Sequence, residues 1–349
     1  MRKVKLPAAL IAAVAILLRP EAAAAGAQRA MRVWFASVAP SLFPFLVLLP
    51  LLTGEDARAA YDFLFGRIMR PVFRLPGSAA SAMIVGMLSG SPGGAIAASG
   101  IAAQGAISAA DAKRLAYAVC GLSPAFLIFG VGGAMFGSVR IGVRFAAAQI
   151  AAQLLLLFAL RNVEFEDAAI LETSYETLPP VRAAVETVLC ICGYMTFFSA
   201  MAGVVSTFLP ESVAQLLLLA ADLPGGLNAL AISDLRGKML ISGAAIGFGG
   251  ICVGMQNLDA LKPVGAKAKE YFAVRFCAAC ICACFCAAIS VTEGSSFASP
   301  ARSAYAVSLL TALLIGIPIL IRVTNQQLIN NRKRAYIGGF CGKTPIYGG

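Results

Sequence analysis

Apolar positions in this chain run in long stretches, and short polar stretches rich in Lys and Arg separate them. About 20 apolar residues are enough to cross a bilayer as a helix. Residues 33–52, 115–136, 143–160, 185–208, 272–289 and 304–321 read as such spans. Residues 61–73 mix aromatics with Arg67 and Arg70 and suit an amphipathic helix lying in the membrane interface. At the start, Arg2, Lys3 and Lys5 precede a short apolar core and small residues fill 22–27, as in a secretory signal. More membrane sequence follows in place of an exported domain. That favours an uncleaved first helix, disturbed at Arg19, Pro20 and Glu21.

Two further apolar stretches contain segments that break helices. Ser89-Gly90-Ser91-Pro92-Gly93-Gly94 interrupts 79–103, and Gly247-Phe248-Gly249-Gly250-Ile251-Cys252-Val253-Gly254 interrupts 239–258. In lipid, non-helical backbone survives only where protein shields it or a wet cavity adjoins it. Paired interruptions in two halves mark a transporter-like binding site. Each is expected to be a re-entrant hairpin, non-helical at its tip, with the two tips close together. A third break, Gly121-Leu122-Ser123-Pro124, falls inside the 115–136 span.

The order of span, interfacial or short segment, broken hairpin and two spans occurs over 31–160 and again over 184–322. Residues 1–30 form an N-terminal membrane helix and connector, 161–183 a polar linker with no chemical role, and 323–349 a basic polar tail. Three spans separate the two repeats, so the second is inverted. Inversion counted this way puts Lys262, Lys267, Lys269 and Arg275 outside, against the tendency of Lys and Arg to stay cytoplasmic. An extra crossing through 213–230 would satisfy the charges and spoil the symmetry. The fold class is all-α, a polytopic membrane helix bundle with two inverted repeats, each with a broken or re-entrant helical hairpin.

Composition agrees. The 349 residues are 59% hydrophobic and 13% charged, with mean hydropathy +0.83, against about 25% charged in soluble domains. The 28 Lys+Arg exceed the 17 Asp+Glu. They lie in short runs, as at Arg67, Arg70 and Arg74 or Arg332, Lys333 and Arg334, which suits anionic lipid headgroups and not nucleic acid. Histidine is absent, so the chain has no Ser-His or Cys-His pair and no His metal ligand. Cys277, Cys280, Cys282, Cys284 and Cys286 crowd one stretch, but their offsets scatter them around a helix as small hydrophobes. No metal, cofactor or enzymatic role is expected, since no metal cluster or phosphate-binding motif is visible.

Candidate binding residues follow from the breaks. Ser89, Gly90, Ser91, Gly93 and Gly94, with Gly249 and Gly250, either offer N–H groups to a solute or pack a tight helix crossing. Ser123 either contacts a solute or satisfies local backbone before Pro124. Gln256 and Asn257 can hydrogen-bond a solute or another helix. Asp222 is the sharpest candidate, because a carboxylate at mid-bilayer costs roughly 2.5–3.5 kcal/mol on insertion scales. Pro224-Gly225-Gly226 is expected to stop the helix after it. Asp222, both tips, Ser123, Gln256 and Asn257 are expected to share one cavity. The expected partners are membrane lipids and a small polar solute. A second copy or another membrane protein stays open.

Four blocks carry a family resemblance. They are Met31-Arg32-Val33-Trp34-Phe35-Ala36-Ser37-Val38-Ala39-Pro40-Ser41-Leu42-Phe43-Pro44-Phe45, then Met69-Arg70-Pro71-Val72-Phe73-Arg74-Leu75-Pro76-Gly77, Ser89 through Ala95, and Ser123-Pro124-Ala125-Phe126-Leu127-Ile128-Phe129-Gly130. In this order they resemble the YlbJ-type sporulation integral membrane proteins, well over 31–137 and more loosely in the second half. The resemblance implies a nucleoside recognition or Gate domain, similar to segments of concentrative nucleoside transporters and of the membrane part of ferrous iron transporter B. It implies a multi-pass cell-membrane protein of an endospore-former that acts in sporulation; the paired breaks add the expectation that it moves a small polar solute. A non-transporting scaffold in spore envelope assembly is the alternative. Family members carry Asn where this chain has Ser123. They carry Glu, a hydroxyl residue and Gly where Asp222-Leu223-Pro224-Gly225 is the nearest match. Both changes keep a polar group and alter its reach.

Overall fold

Backbone removed from water must bond to itself, and the apolar stretches do so as helices. The computed structural model describes residues 2–167, 179–228, 230 and 235–291, and all regular structure among them is helical. Helix α1 (Arg2–Leu18) ends at Arg19, and α2 (Pro20–Val33) starts on Pro20, a residue suited to a first helical turn. A wide-turned segment, Trp34–Val38, joins α2 to α3 (Ala39–Thr53), so one helical rod runs from Pro20 to Thr53. The predicted 33–52 span is therefore longer at its start. Glycine explains the extension. A Cβ on Gly26 would lie 2.4 Å from the Ser199 carbonyl oxygen, so only a bare backbone lets α2 lie against α9 (Pro180–Ser206).

Helix α4 (Glu55–Ile68) leaves Phe63 86% exposed while Gly66 is buried under the Gly77 turn. That one-sided burial suits the interfacial placement predicted for 61–73. Helices α5 (Ala79–Ser89) and α6 (Gly93–Ala103) then pack back on each other as a hairpin, with Gly86 against Gly94. Helix α7 (Ala109–Val119), a break, and the wide-turned helix Phe126–Met135 together lie along α8 (Val139–Ala159). Pairings of Gln153 with Val119, Gln149 with Leu122 and Gly142 with Gly132 show that they run antiparallel to it.

The second half repeats this plan with different joints. Helix α10 (Glu211–Ala221) and α11 (Leu223–Asn228) form the hairpin, Gly226 seated on Leu219, with Asp222 at the tip. Helices α12 (Leu235–Phe248) and α13 (Ile251–Ala260), broken at Gly249-Gly250, lie along α14 (Ala268–Val291). Gly243 meets Cys286, Gly247 meets Ala278 and Gly254 meets Phe272, which again is antiparallel.

Four sequence expectations change here. The Gly247–Gly254 segment is not a re-entrant hairpin but an interrupted crossing, the counterpart of the Gly121–Pro124 break. The counterpart of the Ser89–Gly94 hairpin is the Asp222 hairpin. Pro224-Gly225-Gly226 opens the return helix instead of ending one, because proline is accepted in a first turn. The non-helical backbone is also shorter than expected, Gly90 to Pro92 and Gly249 to Gly250. Residues 304–321 and 323–349 lie outside the described residues.

Counterpart helices run in opposite directions. Helix α3 opposes α9, since α2 and α3 pair Trp34 with Val188 and Gly26 with Ser199. Helix α14 starts where α8 ends, through the Lys267–Glu166 ion pair. This is an inverted arrangement, and it removes the charge conflict without an extra crossing. Once 235–260 crosses fully, Lys262 and Lys267 fall on the same end as Arg74, Arg114 and Arg161. Arg114 donates to the Arg161 carbonyl at 2.9 Å and the Arg74 carbonyl at 2.8 Å there. Arg140, Arg144 and Lys238 lie at the other end, near the starts of α8 and α12.

The predicted 161–183 linker is partly structural. Val163 and Phe165 are buried, Phe165 packs edge-on against Tyr117, and Asp167 accepts from the Ala110 amide at 3.2 Å. The cysteines of α14 divide between a buried face, Cys282 and Cys286, and a partly exposed one, Cys277, Cys280 and Cys284.

The end bearing Lys262 and Lys267 is expected to face the cytoplasm. A fluorescent protein fused after Ala266 should fluoresce, and alkaline phosphatase fused after Gly137 should be active. The reverse pattern would overturn this orientation.

Candidate functional site

Four interruptions meet at one depth, two from each repeat. At the first hairpin tip Gly90 has φ +74° and lies so close to the Gly121–Ser123 break that a Cβ would be 2.5 Å from the Ser123 amide. Only glycine meets both demands. The Ser91 amide donates to the Gly121 carbonyl at 2.7 Å, which joins hairpin to break. The second pair meets more loosely: Gly249 and Gly250 have φ +84° and +85°, and a Cβ on Gly250 would lie at ordinary van der Waals distance from the Ala220 carbonyl and Leu223 beside Asp222. Each hairpin tip thus leans on the break of its own repeat.

The freed backbone groups find partners on the following span. Gln149 of α8 accepts from the Leu122 amide at 3.0 Å and donates to its carbonyl at 2.7 Å, and Gln153 donates to the Val119 carbonyl at 2.6 Å. In the second repeat Arg275 of α14 donates to the Phe248 carbonyl at 3.2 Å and to the Gly247 carbonyl. The three side chains are buried. None of the three was singled out from sequence, where Arg275 counted only among the charges near the start of the 272–289 span. The signal was present, since a Gln pair and an Arg inside apolar spans ask for partners.

The tips enclose a cavity lined by Ser91, Ser123, Asp222, Gly249 and Gln256, with an apolar wall of Val38, Leu42, Ile191 and Met195 from α3 and α9. Of the predicted residues these five reach it. Gly90 and Gly250 do not line it and serve close backbone approach. Ser89 bonds the Val85 carbonyl at 2.7 Å and Gly93 packs on it, while Gly94 packs on Gly86 and Cys120. Asn257 lies just behind the cavity, donating to the Ser91 hydroxyl at 2.9 Å and to the Tyr271 hydroxyl at 2.7 Å. This is a direct bond between the repeats.

Within the cavity most polar groups are already engaged. Ser123 accepts from the Phe126 amide at 3.2 Å as a helix cap, and Gln256 reaches the Cys252 sulfur at 3.4 Å. Asp222 is buried with the Gly225 backbone, the Ser199 hydroxyl and the Arg29 guanidinium around it. Ser199 also donates to the Gly26 carbonyl at 2.9 Å, which ties α9 and α2 to this corner. Toward the basic end, Tyr117 accepts from the Lys267 amide at 3.1 Å and stands edge-on to Tyr271. Beyond it, Lys113, Glu166, Lys267 and Glu270 form a charged cluster.

Gln149→Leu should leave the Leu122 amide and carbonyl without partners, each orphaned buried group costing about 1–3 kcal/mol. A clear fall in the thermal unfolding temperature of the purified protein is expected. An unchanged temperature would mean the break is satisfied in another way.

No family model matches the chain, and no solved structure matches it. The sporulation integral membrane protein YlbJ of Bacillus subtilis (strain 168) is 29% identical over 147 residues, which is 42% of this chain and 36% of YlbJ. The match thus spans about a third of the length of that curated relative. Among the described residues, five helices are long and apolar enough to cross a membrane, from Pro20–Thr53 to Ala268–Ile289. These spans, and a relative that is itself an integral membrane protein, support a YlbJ-type assignment at family level.

Proposed function

We propose that this chain is a Gate-type, transporter-like protein that acts in sporulation and moves a small polar solute across the membrane. The observation that carries this reading is the convergence of four helix interruptions, two from each inverted repeat, on one cavity that holds Asp222. Rocking of one repeat against the other about such a fixed point exposes it to each side in turn. The Ser91–Asn257 bond and the Tyr117–Tyr271 contact are the cross-repeat links that such a motion must part. The sporulation role follows the name of the YlbJ relative.

Size narrows the solute. A water-sized sphere can reach about 60 Å3 of the cavity, less than half the ~150 Å3 that admits benzene. A base with its sugar requires the repeats to part, whereas a solute of a few heavy atoms does not. Apolar walls with one carboxylate favour a cation or a hydrogen-bond donor.

Asp222→Asn keeps the shape and removes the charge. It should lower spore yield by an order of magnitude at unchanged membrane abundance, and abolish uptake in proteoliposomes of whichever small solute the native protein carries. Normal spores at normal abundance would make the acid incidental and favour a scaffold in spore envelope assembly.

A further inference from the structure

Arg275 lies in an apolar span and is 1% exposed. A guanidinium at that depth needs compensation, yet no carboxylate pairs with it among the described residues. Its partners are two backbone carbonyls, Gly247 and Phe248, and Nη1 has none. Those carbonyls end α12, where the helix dipole concentrates partial negative charge, and the Gly249-Gly250 break removes the amides that would otherwise bond them. Carbonyls at the C-terminal end of a broken membrane helix are the oxygens that hold a monovalent cation in carriers. In the first repeat neutral amides, Gln149 and Gln153, take the corresponding place. Only the second repeat puts a full charge there.

We propose that the carbonyl end of α12 is an alkali-cation site which Arg275 fills with its own guanidinium. The charge that an ion would bring is supplied by the chain, so the break stays closed whatever salt surrounds the protein. If the transport reading of the cavity holds, solute movement needs no sodium at this position. The site itself does not depend on that reading.

The test uses the purified full-length protein in detergent, unfolded thermally in sodium, potassium or choline chloride at equal ionic strength. The native protein should unfold at one temperature in all three. Arg275→Ala should unfold at a lower temperature in choline and regain stability in sodium or potassium, with a rise that saturates with concentration. Arg275→Lys keeps an ammonium at the carbonyls and should remain insensitive to the cation, which decides the matter should the alanine variant not accumulate. A sodium-specific rise in the native protein or in Arg275→Lys, or an alanine variant indifferent to the cation, would overturn the proposal. Each readout is independent of transport, so a failed uptake assay leaves this result standing.

Discussion

Backbone groups freed where a helix stops inside a bilayer cannot turn to water, and a missing partner there costs several kcal/mol. Four such stops occur among the described residues, and much of the remaining described structure answers them. Gln149 and Gln153 reach from α8 to the first interrupted span, and Arg275 reaches from α14 to the second. Ser123 caps the Phe126 helix, and the Ser91 amide closes on the Gly121 carbonyl. Those bonds need close approach, which is why bare backbone faces bare backbone at Gly86 and Gly94 and again at Gly132 and Gly142. Composition, packing and polar placement are thus consequences of one requirement. A continuous helix such as α9 carries none of these devices at its centre.

The two solutions are alike in plan and unlike in charge. Neutral amides serve the first repeat and a guanidinium serves the second. Inversion carries one hairpin in from the end bearing Arg74 and Lys267 and the other from the end bearing Lys238. The two repeats share one apolar core, and polar links between them run in one line: Asn257 between Ser91 and Tyr271, then Tyr117 and the cluster of Lys113, Glu166, Lys267 and Glu270. This stack joins the cavity edge to one face of the bundle. Polar bonds at that face can exchange with water as they break, whereas the apolar contacts of α2 with α9 cannot. The two sides of the cavity are therefore unequal in how readily they open.

Much of this was legible in the sequence because it follows from composition and from glycine and proline. The all-helical class, most of the spans, the breaks at Gly90 and Gly249, and the neighbourhood of Ser91, Ser123 and Asp222 all rest on local rules. The pairing of elements between the halves did not. An interrupted crossing and a re-entrant hairpin have the same local signal, apolar residues around glycines, and differ only in where the chain goes next. Reading 239–258 as a hairpin shifted the repeat by one element and created a charge conflict that the true crossing removes. The partners of the breaks were also missed. Gln149 and Arg275 declare a need for hydrogen bonds, but the carbonyls they serve lie 27 residues away in each case. Only the fold brings them together.

Asp222 stands apart from the other polar groups for a reason that the rest of the bundle supplies. At the other three stops each polar side chain already makes at least one bond to backbone or to another side chain. The carboxylate has two oxygens and a neighbourhood built from three separate elements: its own hairpin through Gly225, α9 through Ser199, and α2 through Arg29. Helix α2 has no counterpart ahead of α9 among the described residues, so the cation beside Asp222 comes from outside the repeated unit. Ser199 is shared as well, since its hydroxyl donates to the Gly26 carbonyl where α2 and α9 touch. Because α2 and α3 form one rod, a displacement of α2 along α9 would move the first span of the first repeat and change what surrounds Asp222 together. Gly26, among the small residues that resemble the cleavage region of a leader, is therefore what lets α2 lie against α9 and bring Arg29 beside Asp222.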